Sequence, residues 1–306
     1  MSINWSGVIP ALTTKFKDND TLDTHMFEKN LLAQINAGVN GVIIGGSLGE
    51  ASTLTIFEKE AMVKLSVETS AGKIPVLLNI AEGSTKDAIQ QAELAKSWGA
   101  QGLMLLPPMR YKSDEKETVT FFKTIASSTS LPIMIYNNPV DYKIEVTVDM
   151  FAELMECENI QAVKESTRDV SNVTRLRNRF GDRLKILCGV DTIAMEELIM
   201  GADGWVAGLV NAFPQETVAI YKLTKAGLIN DAARIYKWFM PLLELDIHPK
   251  LVQYIKLAEF FTGLGTEYVR APRLILQGEE RQRIEKIIKD GIAARPMLPD
   301  YHSIKI

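Results

Sequence analysis

The sequence predicts a single α/β domain, a TIM-type (β/α)8 barrel with a C-terminal helical extension, and three observations lead there. Short apolar runs alternate with amphipathic helical stretches through about residue 213. Alternation of this kind makes a parallel sheet, because a helix must carry the chain back before each new strand can start at the same end. The runs number eight and are nearly evenly spaced, which favours closure into a barrel over an open doubly wound sheet. A degenerate repeat marks the joints: Gly38-Val39-Asn40-Gly41, Gly99-Ala100-Gln101-Gly102 and Gly201-Ala202-Asp203-Gly204 each close a helical stretch and open an apolar run. The leading glycine suits a left-handed helix C-cap.

In order, the apolar runs cover about residues 7–12, 39–45, 74–80, 102–106, 131–136, 160–164, 184–190 and 204–210. Between them lie helical patterns such as 84–98, where Ser84 can cap the N-terminus and Ala88, Ala92, Ala95 and Trp98 share one face. The charge run Lys112-Ser113-Asp114-Glu115-Lys116-Glu117 reads as a helix start capped by Ser113. Strand signals stop after residue 213, and helical patterns at about 214–228, 231–245, 249–262 and 278–290 fill the rest. The division expected is therefore residues 1–213 for the barrel and 214–306 for helices packed on it, one domain in total.

Composition narrows the partners. The 306 residues carry a formal net charge of −4, with 24% charged and 46% hydrophobic, so no basic surface for nucleic acid or an anionic membrane is expected. No stretch reaches the roughly 18 uninterrupted apolar residues of a membrane helix, and a basic segment followed by an apolar one is missing from MSINWSGVIP. A cytoplasmic protein with a small-molecule ligand is expected. Cys157 and Cys188 have no CxxC spacing and read as small buried hydrophobes. His25, His248 and His302 are scattered without metal-ligand spacing, and Tyr236, Trp238 and Phe239 read as packing.

Active sites of such barrels lie at the carboxyl ends of the strands, so the polar residues that follow each run are the candidates. Lys164 ends the sixth run, where a long cation is held away from water; an amine so placed loses pKa, and only the neutral form attacks a carbonyl. A strand-end lysine that reaches solvent or pairs with Glu165 is the plainer alternative. Tyr136 ends the fifth run, and a phenol there can relay protons. The turn Gly45-Gly46-Ser47-Leu48-Gly49-Glu50 after the second run can aim amide groups at a carboxylate, although it matches neither phosphate-loop pattern. Gly189 lies at the end of the seventh run with Asp191 directly after it, and Gly208 lies in the eighth.

Together GGSLGE (45–50), YNNP (136–139) and VKES (163–166) resemble the dihydrodipicolinate synthase and N-acetylneuraminate lyase family, over nearly the whole chain. The resemblance implies that Lys164 condenses with the C2 carbonyl of a 2-oxo acid, Tyr136 shuttles protons, and backbone around Ser47 holds the C1 carboxylate. It also implies a homotetramer built as a dimer of dimers. The departures bear on the reaction. The synthase has an arginine two residues after the motif proline, for its second substrate's carboxylate, where this chain has Asp141. Leu48 replaces a hydroxyl residue, and Met109 stands in the place of a tyrosine, with Tyr111 nearby.

Those positions, with PPMRYK (107–112) and LVQYIK (251–256), look most like the hydroxyproline-degrading branch, whose reaction is the dehydrating deamination of 1-pyrroline-4-hydroxy-2-carboxylate. Alternatives left open are a 2-keto-3-deoxy sugar-acid dehydratase, a pyruvate-releasing aldolase or synthase-like enzyme, and a non-catalytic 2-oxo-acid sensor. Arg110, Asn138, Asp141, Tyr142, Ser166 and Thr167 are further candidates for contact with the substrate. No metal or organic cofactor is expected, since a lysine imine is itself an electron sink.

Overall fold

The structure, a computed structural model, describes residues 3–108 and 111–306. Its order is β1 (Gly7–Val8), α1 (Thr24–Ala37), β2 (Val42–Ile44), α2 (Ile56–Ser70), β3 (Val76–Ile80), α3 (Thr85–Ser97), β4 (Gly102–Leu105) and α4 (Glu115–Ser128). Then come β5 (Ile133–Asn137), α5 (Pro139–Tyr142), α6 (Val148–Leu154), β6 (Ile160–Glu165), α7 (Val170–Phe180), β7 (Lys185–Cys188), α8 (Ala194–Ile199) and β8 (Gly204–Trp205). Four helices end the chain: α9 (Pro214–Lys225), α10 (Ile229–Leu243), α11 (Leu251–Thr262) and α12 (Gly278–Ala293).

All eight strands are parallel, in the order β1-β8-β7-β6-β5-β4-β3-β2. Beyond the end of β1, Ala11 bridges Ile43, with Leu12 N to Ile43 O at 3.0 Å and Ile43 N to Pro10 O at 2.8 Å, which closes the sheet into a barrel. Inside sits one apolar cluster, with Ile9, Ile43, Leu77, Met104, Met134 and Leu187 among its members. A larger second cluster fills the space between the strands and the helices. Strand alternation sorts side chains between the two clusters, so each strand is apolar on both faces.

The joints follow glycine chemistry: Gly38, Gly99 and Gly201 have φ of +94°, +92° and +106°, which side chains rarely tolerate. Ser84 caps α3 through its Oγ, 3.1 Å from Asp87 N, and Ala88, Ala92 and Ala95 are fully buried against the barrel. Two local expectations are corrected. Asp114, not Ser113, caps α4, because its carboxylate reaches Glu117 N at 2.8 Å and Glu117 returns the bond to Asp114 N at 3.0 Å. Ser113 instead meets the Thr118 hydroxyl at 2.7 Å. Cys188 is fully buried, whereas Cys157 sits half-buried at the foot of α6.

The tail begins later than residue 213. Helix α9 packs between α8 and α1 and against β1, so it is the eighth helix of the ring. Pro214 at its N1 position starts it directly after β8 and a short 3₁₀ turn. Helices α10 to α12 lie outside the ring, and Phe213, Trp238 and Phe239 stack within the chain at their base, with centroid spacings of 5.3–6.0 Å. No helix among the described residues is long and apolar enough to cross a membrane.

Candidate active site

At the carboxyl end of the barrel the apolar interior gives way to polar side chains. Residues Tyr136 and Lys164 are paired in register on β5 and β6, so both point along the barrel axis at one level. Their neighbours Asn137 and Glu165 face the other way, as the period of two requires. Glu165 therefore does not pair with Lys164. It is held behind the strand by Asn172 Nδ2 at 2.9 Å and Thr167 N at 2.7 Å.

The Lys164 side chain is 8% exposed, and its Nζ lies 4.1 Å from the centre of the Tyr136 ring. Burial pulls its pKa below the ordinary lysine value of 10.5, which raises the fraction of neutral, nucleophilic amine. Space for it depends on Gly189: a Cβ there would stand 2.7 Å from Lys164 Cε and 2.2 Å from Ser166 Oγ. Burial pushes the Tyr136 phenol up to about 12, so at neutral pH it carries its proton. Asn138 Nδ2 donates to that hydroxyl at 3.1 Å and to Asp141 Oδ2 at 2.7 Å, while Asn138 itself caps α5 through Asp141 N.

The turn after β2 is held rigid by backbone and charge. Gly45 has φ of +68°, and a Cβ on Gly49 would come within 2.8 Å of Leu12 O. Glu50 also takes a positive φ, +55°, a strained conformation for a residue with a side chain. Its buried carboxylate is fixed by Lys256 Nζ at 2.5 Å and Arg270 N at 3.0 Å. The result presents Gly46, Ser47 and Leu48 to the cavity. Ser47 Oγ meets Tyr142 OH at 2.5 Å, and the Tyr142 ring stands edge-on to Tyr136 at 5.5 Å.

The cavity thus brings together Lys164, Tyr136, the Gly46 to Leu48 turn, Asn138, Asp141 and Tyr142, with Ser166, Gly189 and Gly208 on its other side. Three candidates lie elsewhere. Thr167 is spent on Glu165. Asp191 sits behind the wall, where it accepts from Trp205 Nε1 and Leu209 N, both at 2.8 Å, and from Gly208 N at 3.2 Å, so it shapes the Gly208 turn. Tyr111 is 56% exposed and lines a separate surface groove with Pro108 and Thr120. Met109 and Arg110 fall outside the described residues.

Two charged residues that line the cavity were missed by sequence reasoning: Arg168 and Asp246. Arg168 directly follows the VKEST segment and takes φ of +65°, so its place beside the strand end could have singled it out. Asp246 had no such signal, because it comes from the 3₁₀ turn Glu244–Ile247 between α10 and α11.

A buried, pKa-lowered lysine beside a phenol, at the carboxyl end of a parallel barrel, defines a class of enzyme: lyases that work through a lysine Schiff base. The comparisons place the chain within that class. It belongs to the dihydrodipicolinate synthetase family, whose model matches residues 4–291. It is 30% identical over 287 residues to 4-hydroxy-tetrahydrodipicolinate synthase of Endomicrobium trichonymphae, spanning 94% of this chain and 98% of that protein. An uncharacterized DapA-like lyase of Rhizobium meliloti is 32% identical over 234 residues, 76% of this chain and 77% of its own. Among solved structures, dihydrodipicolinate synthase DapA-2 of Bacillus anthracis superposes with a TM-score of 0.90 at 27% identity, covering 94% of this chain and 99% of that one. The synthase of Aquifex aeolicus gives 0.88 at 28%, covering 93% and 97%.

Proposed function

We propose that this chain catalyses the dehydrating deamination of 1-pyrroline-4-hydroxy-2-carboxylate to 2-oxoglutarate semialdehyde and ammonia, through a Schiff base on Lys164. The observation that carries the reading is one position in the wall of the cavity that holds Lys164. Asp141, held by Asn138, occupies it where the resemblance puts an arginine for a second carboxylate. A carboxylate there repels a dicarboxylic partner, and so disfavours the synthase reaction.

The chemistry runs from the lysine. The neutral Lys164 amine adds to C2, and the ring C2–N bond breaks, leaving a protonated imine on the lysine and a free amine on C5. The imine acidifies C3, and loss of a C3 proton gives an enamine whose electrons expel the C4 hydroxyl. A water takes the C3 proton; Tyr136, which holds its own proton at neutral pH, gives it to the departing oxygen, which leaves as water, and the first water then returns the C3 proton to the phenolate. The unsaturated amine isomerises to a C5 imine. Two waters then hydrolyse the two imines, releasing ammonia, product and free Lys164. Amides of the Gly46 to Leu48 turn hold the C1 carboxylate throughout.

The test is to supply the hydroxylated cyclic imine and follow products, with borohydride added in parallel to trap the lysine adduct. Equal yields of ammonia and semialdehyde, and a reduced adduct on Lys164, are expected. An adduct with release of pyruvate and an aldehyde would replace this reading by an aldol one, which the names of the relatives favour. A deoxy dioxo acid formed from a 2-keto-3-deoxypentonate, with no ammonia from the imine, would make the chain a sugar-acid dehydratase. The reading includes a homotetramer of two dimers, measurable by light scattering.

A further inference from the structure

Asp246 reaches the cavity from outside the barrel. It rides on the 3₁₀ turn Glu244–Ile247, and the approach is so close that a Cβ on Gly208 would lie 2.1 Å from its Oδ1. The charged groups around it are Asp191, Lys164, Asp141 and Arg168, and no hydrogen bond from a described residue holds its carboxyl. Asp141, by contrast, already accepts from Asn138. Ser166 Oγ, on a residue 2% exposed that lines the same cavity, is also without a partner. A cavity with a buried, partnerless hydroxyl beside a half-buried carboxyl that no protein hydrogen bond holds offers both groups to a ligand, and the buried one is costly to leave alone.

We propose that Asp246 is the specificity-determining residue for the far end of the substrate, and that it receives the primary amine freed on C5 when Lys164 displaces the ring nitrogen. The inference rests on the deamination reading, because only a cyclic imine yields such an amine; a sugar acid or pyruvate does not. The exchange balances. The protonated ring imine and the neutral Lys164 amine become a protonated lysine imine and a neutral primary amine. Burial and Asp191 hold the Asp246 pKa well above the usual carboxylate range, so its carboxyl enters the reaction with a proton. The freed amine is base enough to take that proton, and an ammonium paired with a carboxylate results. The pair draws the nitrogen away from C2, which opposes re-closure of the ring while C3 and C4 react.

The experiment uses two probes that cannot lose a C4 hydroxyl. One is 1-pyrroline-2-carboxylate, which frees a C5 amine on reaction with the lysine; the other is 2-oxopentanoate, the same carbon chain without nitrogen. Borohydride trapping at increasing concentration gives an apparent affinity for each. The native protein should prefer the cyclic imine, and Asp246→Asn should lower the ratio of the two affinities by about tenfold or more, as expected for loss of a charge-assisted hydrogen bond. Gly208→Ala, which denies Asp246 its position, should lower the ratio in the same direction, and Asp246→Glu should keep part of it. An unchanged ratio in Asp246→Asn, or an equal loss for both probes, overturns the proposal. Failure of the deamination reading shows separately, as a native protein that makes no ammonia from the hydroxylated imine, and it overturns both.

Discussion

Single side chains decide whether this cavity reacts. Lys164→Ala should abolish borohydride-trapped adduct and lower turnover by roughly 10³-fold or more, the scale seen when a covalent nucleophile is removed. Because burial lowers the Lys164 pKa, the neutral amine accumulates at lower pH than for a free lysine. The rate of adduct formation should therefore rise with pH and level off below 10.5, the ordinary lysine value; a rise that continues to 10.5 would mean an exposed, unperturbed amine. Tyr136→Phe should leave adduct formation largely intact while lowering turnover by about 10²-fold or more, since the phenol acts after the imine has formed. Gly189→Ala should lose the adduct without touching a catalytic atom, because its Cβ would stand 2.7 Å from Lys164 Cε.

Elements set which side chains meet. Register on β5 and β6 puts Tyr136 opposite Lys164, and the same period sends Glu165 and Cys188 outward toward α7 and α8. There Glu197, on α8, has both carboxyl oxygens buried without a partner, and burial lifts its pKa to about 8. Its folded pKa lies above the unfolded one, so the stability it contributes is complete below about 4.5 and is lost as pH rises toward 8. Thermal unfolding at pH 5 and pH 8 should show a fall in the native protein that Glu197→Gln largely removes. Equal pH dependence in both would place Glu197 in water rather than in the core.

At the scale of the whole molecule, the C-terminal helices are tied to the catalytic turn. Lys256 on α11 and Glu50 at the end of the GGSLGE turn form a fully buried ion pair at 2.5 Å, joined by Arg270 N. Beside it Lys15 and Glu259 form a second, at 2.7 Å. Removing Lys256 leaves the buried Glu50 only Arg273, at 3.7 Å, as an opposite charge, so Lys256→Met should destabilise the fold by up to about 3–5 kcal/mol, and replacing Glu50 by Gln as well should recover part of that. Denaturant titration of the single and double variants checks it. The tie reaches the cavity because the segment that carries Asp246 enters the same α11, and the strained Glu50 ends the turn whose Gly46, Ser47 and Leu48 line it.

Periodicity and motif made the barrel, its eight strands and the pair Lys164 and Tyr136 legible from sequence, for a physical reason. Strand and helix periods are local, a glycine that must adopt positive φ announces its own joint, and barrel geometry sends every strand's carboxyl end to one mouth. What surrounds the lysine followed no such local rule. Asp191 looked like a site residue because it follows a strand, yet packing turned it toward Trp205 and Leu209; Thr167 was drawn off by Glu165. Asp246 stands far along the chain from the strands it faces, and its approach depends on Gly208 having no side chain. Sequence alone determined the fold and singled out Lys164 as the proposed nucleophile. Tertiary packing alone decided the second carboxyl of the cavity, Asp246, because it arises where a turn outside the barrel meets a gap left by a glycine within it.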